Sequence, residues 1–209
     1  AANEQEGLVT GLLLPDAPVV AWWPHAAPEK AATSPIGRIA TRRITDAASQ
    51  PDPVAHLRKI AKNYTPGDSD FAWTRLTLWR QQIAAILDQP PYDSITGVEI
   101  TGSFDNPSTA LLGAWFELKL KVPVKMIKAP KAKINNGIRT VKLIRKSGDI
   151  VISRDIPDVA TLSQANRPKR DISLPMRTLR DCLSEDLRRL DPDELFGKVV
   201  RHGYGAKRK

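Results

Sequence analysis

The sequence has one cysteine, Cys182, among 209 residues, so no intrachain disulfide can form and a cysteine-based zinc site lacks its ligands. A reducing cytoplasm is the compartment this implies. Long apolar runs are also missing: Leu12-Leu13-Leu14 stops at Pro15, and Pro18 to Trp23 stops at Pro24. A membrane span needs roughly 18 to 20 such residues, so none is expected. The chain has neither an initiator methionine nor a basic-then-apolar leader at Ala1, and a preceding segment is expected on that ground.

Enzyme signatures are scarce as well. There is no P-loop, no HExxH and no G-x-S-x-G, and the one G-x-G, Gly203-Tyr204-Gly205, has no third glycine and no preceding strand. The three histidines, His25, His56 and His202, are far apart and do not share a metal-ligand spacing. A catalytic site needs a constellation of groups, and none is legible here. Aromatics make up 6% of the chain, and none falls between Glu117 and Leu195.

What remains is a globular composition with 41% hydrophobic residues, enough to bury a core without metal or disulfide. The length fits one large domain or two small ones. Charge is divided unevenly: residues 1–118 carry 9 basic and 13 acidic side chains, a net −4, whereas residues 119–209 carry 23 and 10, a net +13. The overall +9 therefore belongs to the C-terminal part.

Local signals divide the chain further. Ala17 to Trp23 and Arg43-Ile44-Thr45 read as strands, while Ser34-Pro35 and Asp52-Pro53 each place a capping side chain before a proline suited to the first helical turn. After the turn Thr65-Pro66-Gly67-Asp68, Asp70 is expected to cap one long helix, Phe71 to Asp88, with Ala72, Leu76, Trp79, Ile83, Ile86 and Leu87 on its apolar face. Ile95 to Thr101 is a strand, Asn106-Pro107 opens a helix through Leu118, and Leu120 to Met126 alternates as a strand. Beyond Ala129, Ile138–Arg145 and Ile150–Arg154 flank a hairpin turn at residues 146–149, and Arg170 to Leu174 is a further strand. A helix from Pro175 to Leu190 repeats Met176, Leu179, Leu183, Leu187 and Leu190; Asp191 and Glu194 have capping-box spacing for a short helix after it. From Arg201 a mobile basic tail is expected.

The sum is an α/β protein with a mixed, largely parallel sheet flanked by helices, followed by an antiparallel hairpin and a helical tail. The expected division is an α/β domain over 1–128 and a basic extension over 129–209.

Three segments carry candidate chemistry. Gly102 to Thr109 runs from a strand into a helix N-terminus, where free N–H groups could hold a phosphate, although Asp105 would repel it and an asparagine cap accounts for the same pattern. Lys119 to Lys146 holds ten basic residues and no acidic one. Such a stretch could neutralise phosphates, but with no aromatic to stack bases it reads better as a partner surface or the solvated face of an edge strand. On the long helix, Trp73 and Arg80 would sit roughly 20° apart, an aromatic beside an arginine as in interface anchors. The alternative is that Trp73 and Trp79 are core and Arg80 pairs with Asp68 or Asp70.

Arg42 to Ala48 and the run Tyr64 to Arg80 strongly resemble the glucose-6-phosphate dehydrogenase assembly protein OpcA family in its actinobacterial form. Leu12 to Asp16, Trp22-Trp23-Pro24 and Leu187 to Glu194 are similar to the same family, so the likeness runs in order over nearly the whole chain. The resemblance implies a cytoplasmic, non-catalytic protein without a cofactor that binds glucose-6-phosphate dehydrogenase, promotes its active oligomer and supports NADPH production. Redox control by an internal disulfide, associated with cyanobacterial relatives, cannot be carried over to a chain with Cys182 alone. The resemblance supplies no catalytic residue. The interface candidates come from the residues themselves: Arg42, Arg43, Asp46, Asp68, Asp70, Trp73, Arg75 and Arg80 for specificity, and Lys121, Lys125 and Lys128 for long-range attraction. A nucleic-acid-binding module and a sugar-phosphate or NADP sensor are the alternatives.

Overall fold

A computed structural model of the chain describes residues 7, 9–14, 16–129 and 137–205. In chain order its elements are β1 (Val20–Trp22), α1 (Pro35–Ile39), β2 (Arg42–Thr45), α2 (Pro53–Asn63), β3 (Asp68–Asp70), α3 (Phe71–Thr74), α4 (Thr77–Leu87), β4 (Ile95–Gly102), α5 (Pro107–Leu120), β5 (Val124–Lys128), β6 (Ile138–Arg145), β7 (Ile150–Ile156), β8 (Val159–Gln164), β9 (Arg170–Ser173), α6 (Leu179–Arg188) and α7 (Glu194–Tyr204). They group into two compact units, one made of residues 1–74 with 178–209 and the other of residues 75–177. The point between residues 128 and 129 falls inside the second unit, where β5 and β6 flank it and both pair with β4.

The first unit carries a three-stranded parallel sheet in the order β1-β2-β3. Its helices start where local capping chemistry dictates. Ser34 accepts a hydrogen bond from the Gly37 N–H at 3.1 Å and Asp52 from the Ala55 N–H at 2.8 Å, each followed by a proline that has no N–H to leave unsatisfied. The sheet packs Ile44 against Phe71 and Cys182, with Val20, Trp22 and Leu183 around them. Gly67 makes the turn into β3 at φ +96; a Cβ there would lie 2.5 Å from the Thr41 carbonyl oxygen, so only glycine fits.

The predicted helix from Phe71 to Asp88 is broken. Residues 75 and 76 form a turn between α3 and α4. On a continuous helix Trp73 and Trp79 would point roughly 120° apart and could not both face one core. With the break both rings are buried.

The C-terminal helices also shift from their expected bounds. α6 begins at Leu179 rather than Pro175, because Thr178 and Asp181 form a capping box: the Asp181 N–H donates to Thr178 Oγ1 at 3.2 Å and the Thr178 N–H to Asp181 Oδ2 at 2.9 Å. The cap of α7 is Asp193, which accepts from the Phe196 N–H at 2.9 Å, not Asp191. α7 continues through Tyr204 where a tail was expected; the tail's residues 206–209 lie outside the described residues.

The second unit holds a six-stranded sheet in the order β5-β4-β6-β7-β8-β9. β4 and β5 pair in parallel and every other pairing is antiparallel. The hairpin between β6 and β7 turns at Gly148, φ +106, as the sequence suggests, while β8 carries no apolar run strong enough to announce it. At the start of α5, Asn106 Oδ1 accepts from the N–H groups of Ser108 and Thr109 at 2.9 and 3.2 Å. The cap accounts for that segment, and two of the N–H groups that a phosphate would use are already occupied. Leu120 belongs to α5, which Lys121 closes in the left-handed region at φ 56; the strand begins only at Val124. The α/β reading holds. Its parallel pairs, all within the first 128 residues, are shared between two sheets.

Candidate functional site

Six of the eleven interface candidates meet in the interior of the first unit. Arg42 forms an ion pair with Asp186 in which both side chains are almost wholly buried, and Arg42 also donates to Ser69 Oγ at 3.1 Å and to the Asp191 carbonyl at 2.9 Å. Asp186 is satisfied further by the hydroxyls of Ser69 at 2.9 Å and Thr74 at 2.8 Å. The neighbouring Arg43 pairs with Asp68 at 2.5 Å and donates to the carbonyls of Ala40 at 2.8 Å and Pro66 at 2.5 Å, stitching β2 to the turn before β3. Asp46 caps the short turn Ala47–Ser49 through the Ala48 N–H at 3.1 Å. Trp73 Nε1 donates to Asp193 Oδ2 at 2.8 Å, and its ring lies 6.0 Å from that of Phe196 on α7. Arg42, Ser69, Trp73 and Thr74 clasp β2, β3 and α3 to chain more than a hundred residues away, while Arg43, Asp46 and Asp68 bind nearer segments.

Asp70 is fully buried at the end of β3. It accepts from Thr45 Oγ1 at 2.6 Å and from the N–H groups of Ala72 at 2.8 Å and Ala47 at 2.9 Å. Burial nevertheless outweighs these bonds and, helped by the nearby Asp46 carboxylate, pushes its carboxyl up to about 7. A folded value above the unfolded one stabilises the protein fully below the unfolded value and progressively less as pH rises toward 7, by up to about 1.4 kcal/mol per pH unit. Asp68 is shifted the same way by its own burial. His56, lowered by burial and then by Lys59, acts with the opposite sign, losing stability as pH falls below its ordinary value of 6.5. The Asp70 contribution is therefore isolated by comparison: Asp70→Asn, which mimics the protonated acid, is expected to lose less stability between pH 5 and pH 8 than the wild type. Urea unfolding at both pH values measures this, and equal losses would disprove it.

The other five candidates lie elsewhere. Arg75 sits half-buried in the turn between α3 and α4. Arg80, on α4, donates to Thr77 Oγ1 at 3.2 Å, and the break puts Trp73 and Arg80 on separate helices. Arg43 forms the ion pair with Asp68. Trp79 is core, with the Arg154 guanidinium 5.4 Å from its ring centre. Lys121, Lys125 and Lys128 are exposed, the last two on β5 at the sheet edge, where Lys125 approaches Glu99 at 3.7 Å. Lys131 and Lys133 of the same basic stretch lie outside the described residues.

A concavity of about 360 Å³ including its open mouth is lined by Arg43, Thr45, His56, Lys59, Asn63 and Asp68 among others. It mixes both signs of charge, and the Nε2 of His56 is buried there without a hydrogen-bond partner among the described residues. No group of three or more His, Cys, Asp or Glu side chains suited to a metal ion occurs among the described residues. No helix among them is long and apolar enough to cross a membrane.

Sequence reasoning missed Asp186 and Asp193, the two acceptors on which the clasp turns. Asp193 had a signal, since Asp191-Pro192-Asp193-Glu194 offers two candidate caps. Asp186 had none: it lies beside a leucine stripe on what looks like the solvated side of an amphipathic helix. Also missed is that this stripe is partly in solvent, with Leu179 and Leu187 exposed.

A parallel α/β unit and a unit built on a mixed six-stranded sheet make the chain, by fold, a two-unit α/β protein. It superposes with a TM-score of 0.52 on a point mutant of KijD10, a 3-ketoreductase from Actinomadura kijaniata in complex with TDP-benzene and NADP, covering 93% of this chain and 78% of that one at 10% identity. An NADPH-dependent oxidoreductase from Desulfitobacterium hafniense gives a TM-score of 0.53 at 7% identity, covering 93% and 77%. At such identities the likeness is one of fold alone. No curated protein matches the chain. Two family models do, both describing a glucose-6-phosphate dehydrogenase subunit: its N-terminal domain matches residues 1–62 and its C-terminal domain residues 66–200. The chain belongs to the OpcA family of glucose-6-phosphate dehydrogenase assembly proteins.

Proposed function

We propose that this protein is a non-catalytic cytoplasmic subunit that binds glucose-6-phosphate dehydrogenase and favours its active oligomer, supporting NADPH production by the oxidative pentose phosphate pathway. The observation that carries this reading is the pair of consecutive family models, both describing domains of one glucose-6-phosphate dehydrogenase subunit. The interior clasp fits it: Arg42, Arg43, Asp46, Asp68, Asp70 and Trp73 hold the frame, while direct contacts fall to more exposed residues, Lys121, Lys125 and Lys128 with Arg75 and Arg80. The lysines add long-range attraction toward an acidic surface.

The mechanism is differential binding. A binding partner shifts an oligomer equilibrium only by its preference for one state over another, and a tenfold preference corresponds to about 1.4 kcal/mol. Mixing the cognate dehydrogenase with this protein is expected to give a co-eluting complex and a higher specific activity than the dehydrogenase alone. Separate elution with unchanged activity would overturn the reading.

A further inference from the structure

The two family models divide the chain between residues 62 and 66, and the structure divides it elsewhere. Strand β3, Asp68–Asp70, lies beyond that division, yet its register with β2 pairs Arg43 with Asp68, Ile44 with Ser69 and Thr45 with Asp70. Residues 178–205 lie beyond it too and belong to the same unit as residues 1–74. The first unit is therefore assembled from two pieces of chain with residues 75–177 between them.

Parallel strands of three or four residues need both faces of their sheet covered. One face carries Arg43, Thr45 and Asp68, and α2 covers it, with His56 and Lys59 lining the concavity there. The opposite face carries Arg42, Ile44 and Ser69, and its cover is α6: Cys182 packs against Ile44 and Phe71, and Asp186 takes Arg42 and Ser69. α7 then locks onto the end of α2. The Phe196 ring lies 6.0 Å from that of Tyr64 at 75°, the Tyr64 hydroxyl donates to the Asp193 carbonyl at 3.4 Å, and the Arg201 guanidinium sits 5.2 Å from the Tyr64 ring centre. The approach is so close that a Cβ at Gly197 would lie 2.4 Å from the Tyr64 ring. Phe196, Val199 and Val200 are wholly buried in the process. Lifting this segment away would bare the Arg42 charge and the Ile44–Phe71 cluster in one step, so an open segment beside an intact sheet is a costly state.

We propose that residues 178–205 form a strap that closes the first unit, so that residues 1–74 and 178–205 open and close as one cooperative block while residues 75–177 form a second, and neither block ends at residues 62–66.

The test is native-state hydrogen exchange of the full chain at low urea, read peptide by peptide in a mass spectrometer, for the wild type, for Phe196→Leu in the strap and for Ile152→Val in β7. In the wild type, β2, β3, α6 and α7 are expected to lose protection with one shared urea dependence, distinct from that of β6 to β8. Phe196→Leu is expected to speed exchange about tenfold in β2 and β3 as well as in α7, and to leave β6 to β8 as they were. Ile152→Val is expected to do the reverse, with exchange about threefold or more faster in β6 to β8 and unchanged in β2 and β3. Protection of β2 and β3 that survives faster exchange in α6 and α7 would reduce the strap to a surface attachment and overturn the proposal. A single urea dependence shared by the whole chain, with each variant speeding exchange everywhere, overturns it as well. The wild-type measurement separates these outcomes by itself should Phe196→Leu fail to fold.

Discussion

Asp186→Ala is expected to destabilise the protein by about 3–5 kcal/mol, the usual consequence of breaking a buried ion pair from one side. Arg42 retains its bonds to Ser69 and the Asp191 carbonyl, but its charge stays in an interior site with its counter-ion gone. The Ser69 and Thr74 hydroxyls lose their acceptor in the same step. Urea unfolding reads the loss, and a change below about 1 kcal/mol, the range of exposed pairs, would disprove it. Arg42→Met/Asp186→Leu is expected to recover most of the stability, because two apolar side chains of similar volume leave no charge uncompensated. That double variant separates stability from function. With leucine at position 186 the inward face of α6 stays apolar, and the helix keeps its rotation. Stability would then return with binding of the dehydrogenase unchanged, the result expected of an interior pair.

The legible part of this protein is what short-range chemistry determines. Ser34-Pro35, Asp52-Pro53 and Asn106-Pro107 each announce a helix within four residues, and all three do what they announce. The hairpin at Gly148 is equally local. Distance in sequence is what hides the rest. β3 reads Asp-Ser-Asp, a string with no strand propensity, and it forms because Arg42, Arg43 and Thr45 on the neighbouring strand supply donors to those three side chains and to their backbone. The break between α3 and α4 has no glycine or proline to mark it. It follows from hydrogen bonds that Trp73 and Thr74 make to Asp193 and Asp186, 120 and 112 residues on. No periodicity within Phe71 to Asp88 contains that information.

The same reasoning explains why the most family-like segment lies largely in the interior. Arg42 to Ala48 and Tyr64 to Arg80 collect arginines, aspartates and tryptophans, the residue types of binding surfaces. They are also the types that a small parallel sheet needs in order to hold a remote C-terminal segment by directed bonds. In this structure five charged side chains and one indole lie inside, each bonded to a named partner.

Trp73→Ala is expected to cost about 3–5 kcal/mol, the range for deleting a large buried aromatic. The ring is 2% exposed and packs near Phe196, and its Nε1 satisfies one oxygen of Asp193, whose other oxygen caps α7. Trp73→Phe keeps an aromatic against Phe196 and leaves Asp193 Oδ2 without that donor, so a smaller loss of about 1–2 kcal/mol is expected. The pair of variants separates an interior role from a contact with the dehydrogenase. An interior residue changes unfolding free energy and leaves the affinity of the folded fraction as it was. A contact residue changes affinity at constant stability. The expected outcome for Trp73→Phe, measured well below its melting temperature, is a lower urea midpoint with wild-type affinity. A weakened complex with an unchanged midpoint would place Trp73 on the interface and show that the interior clasp is not its purpose.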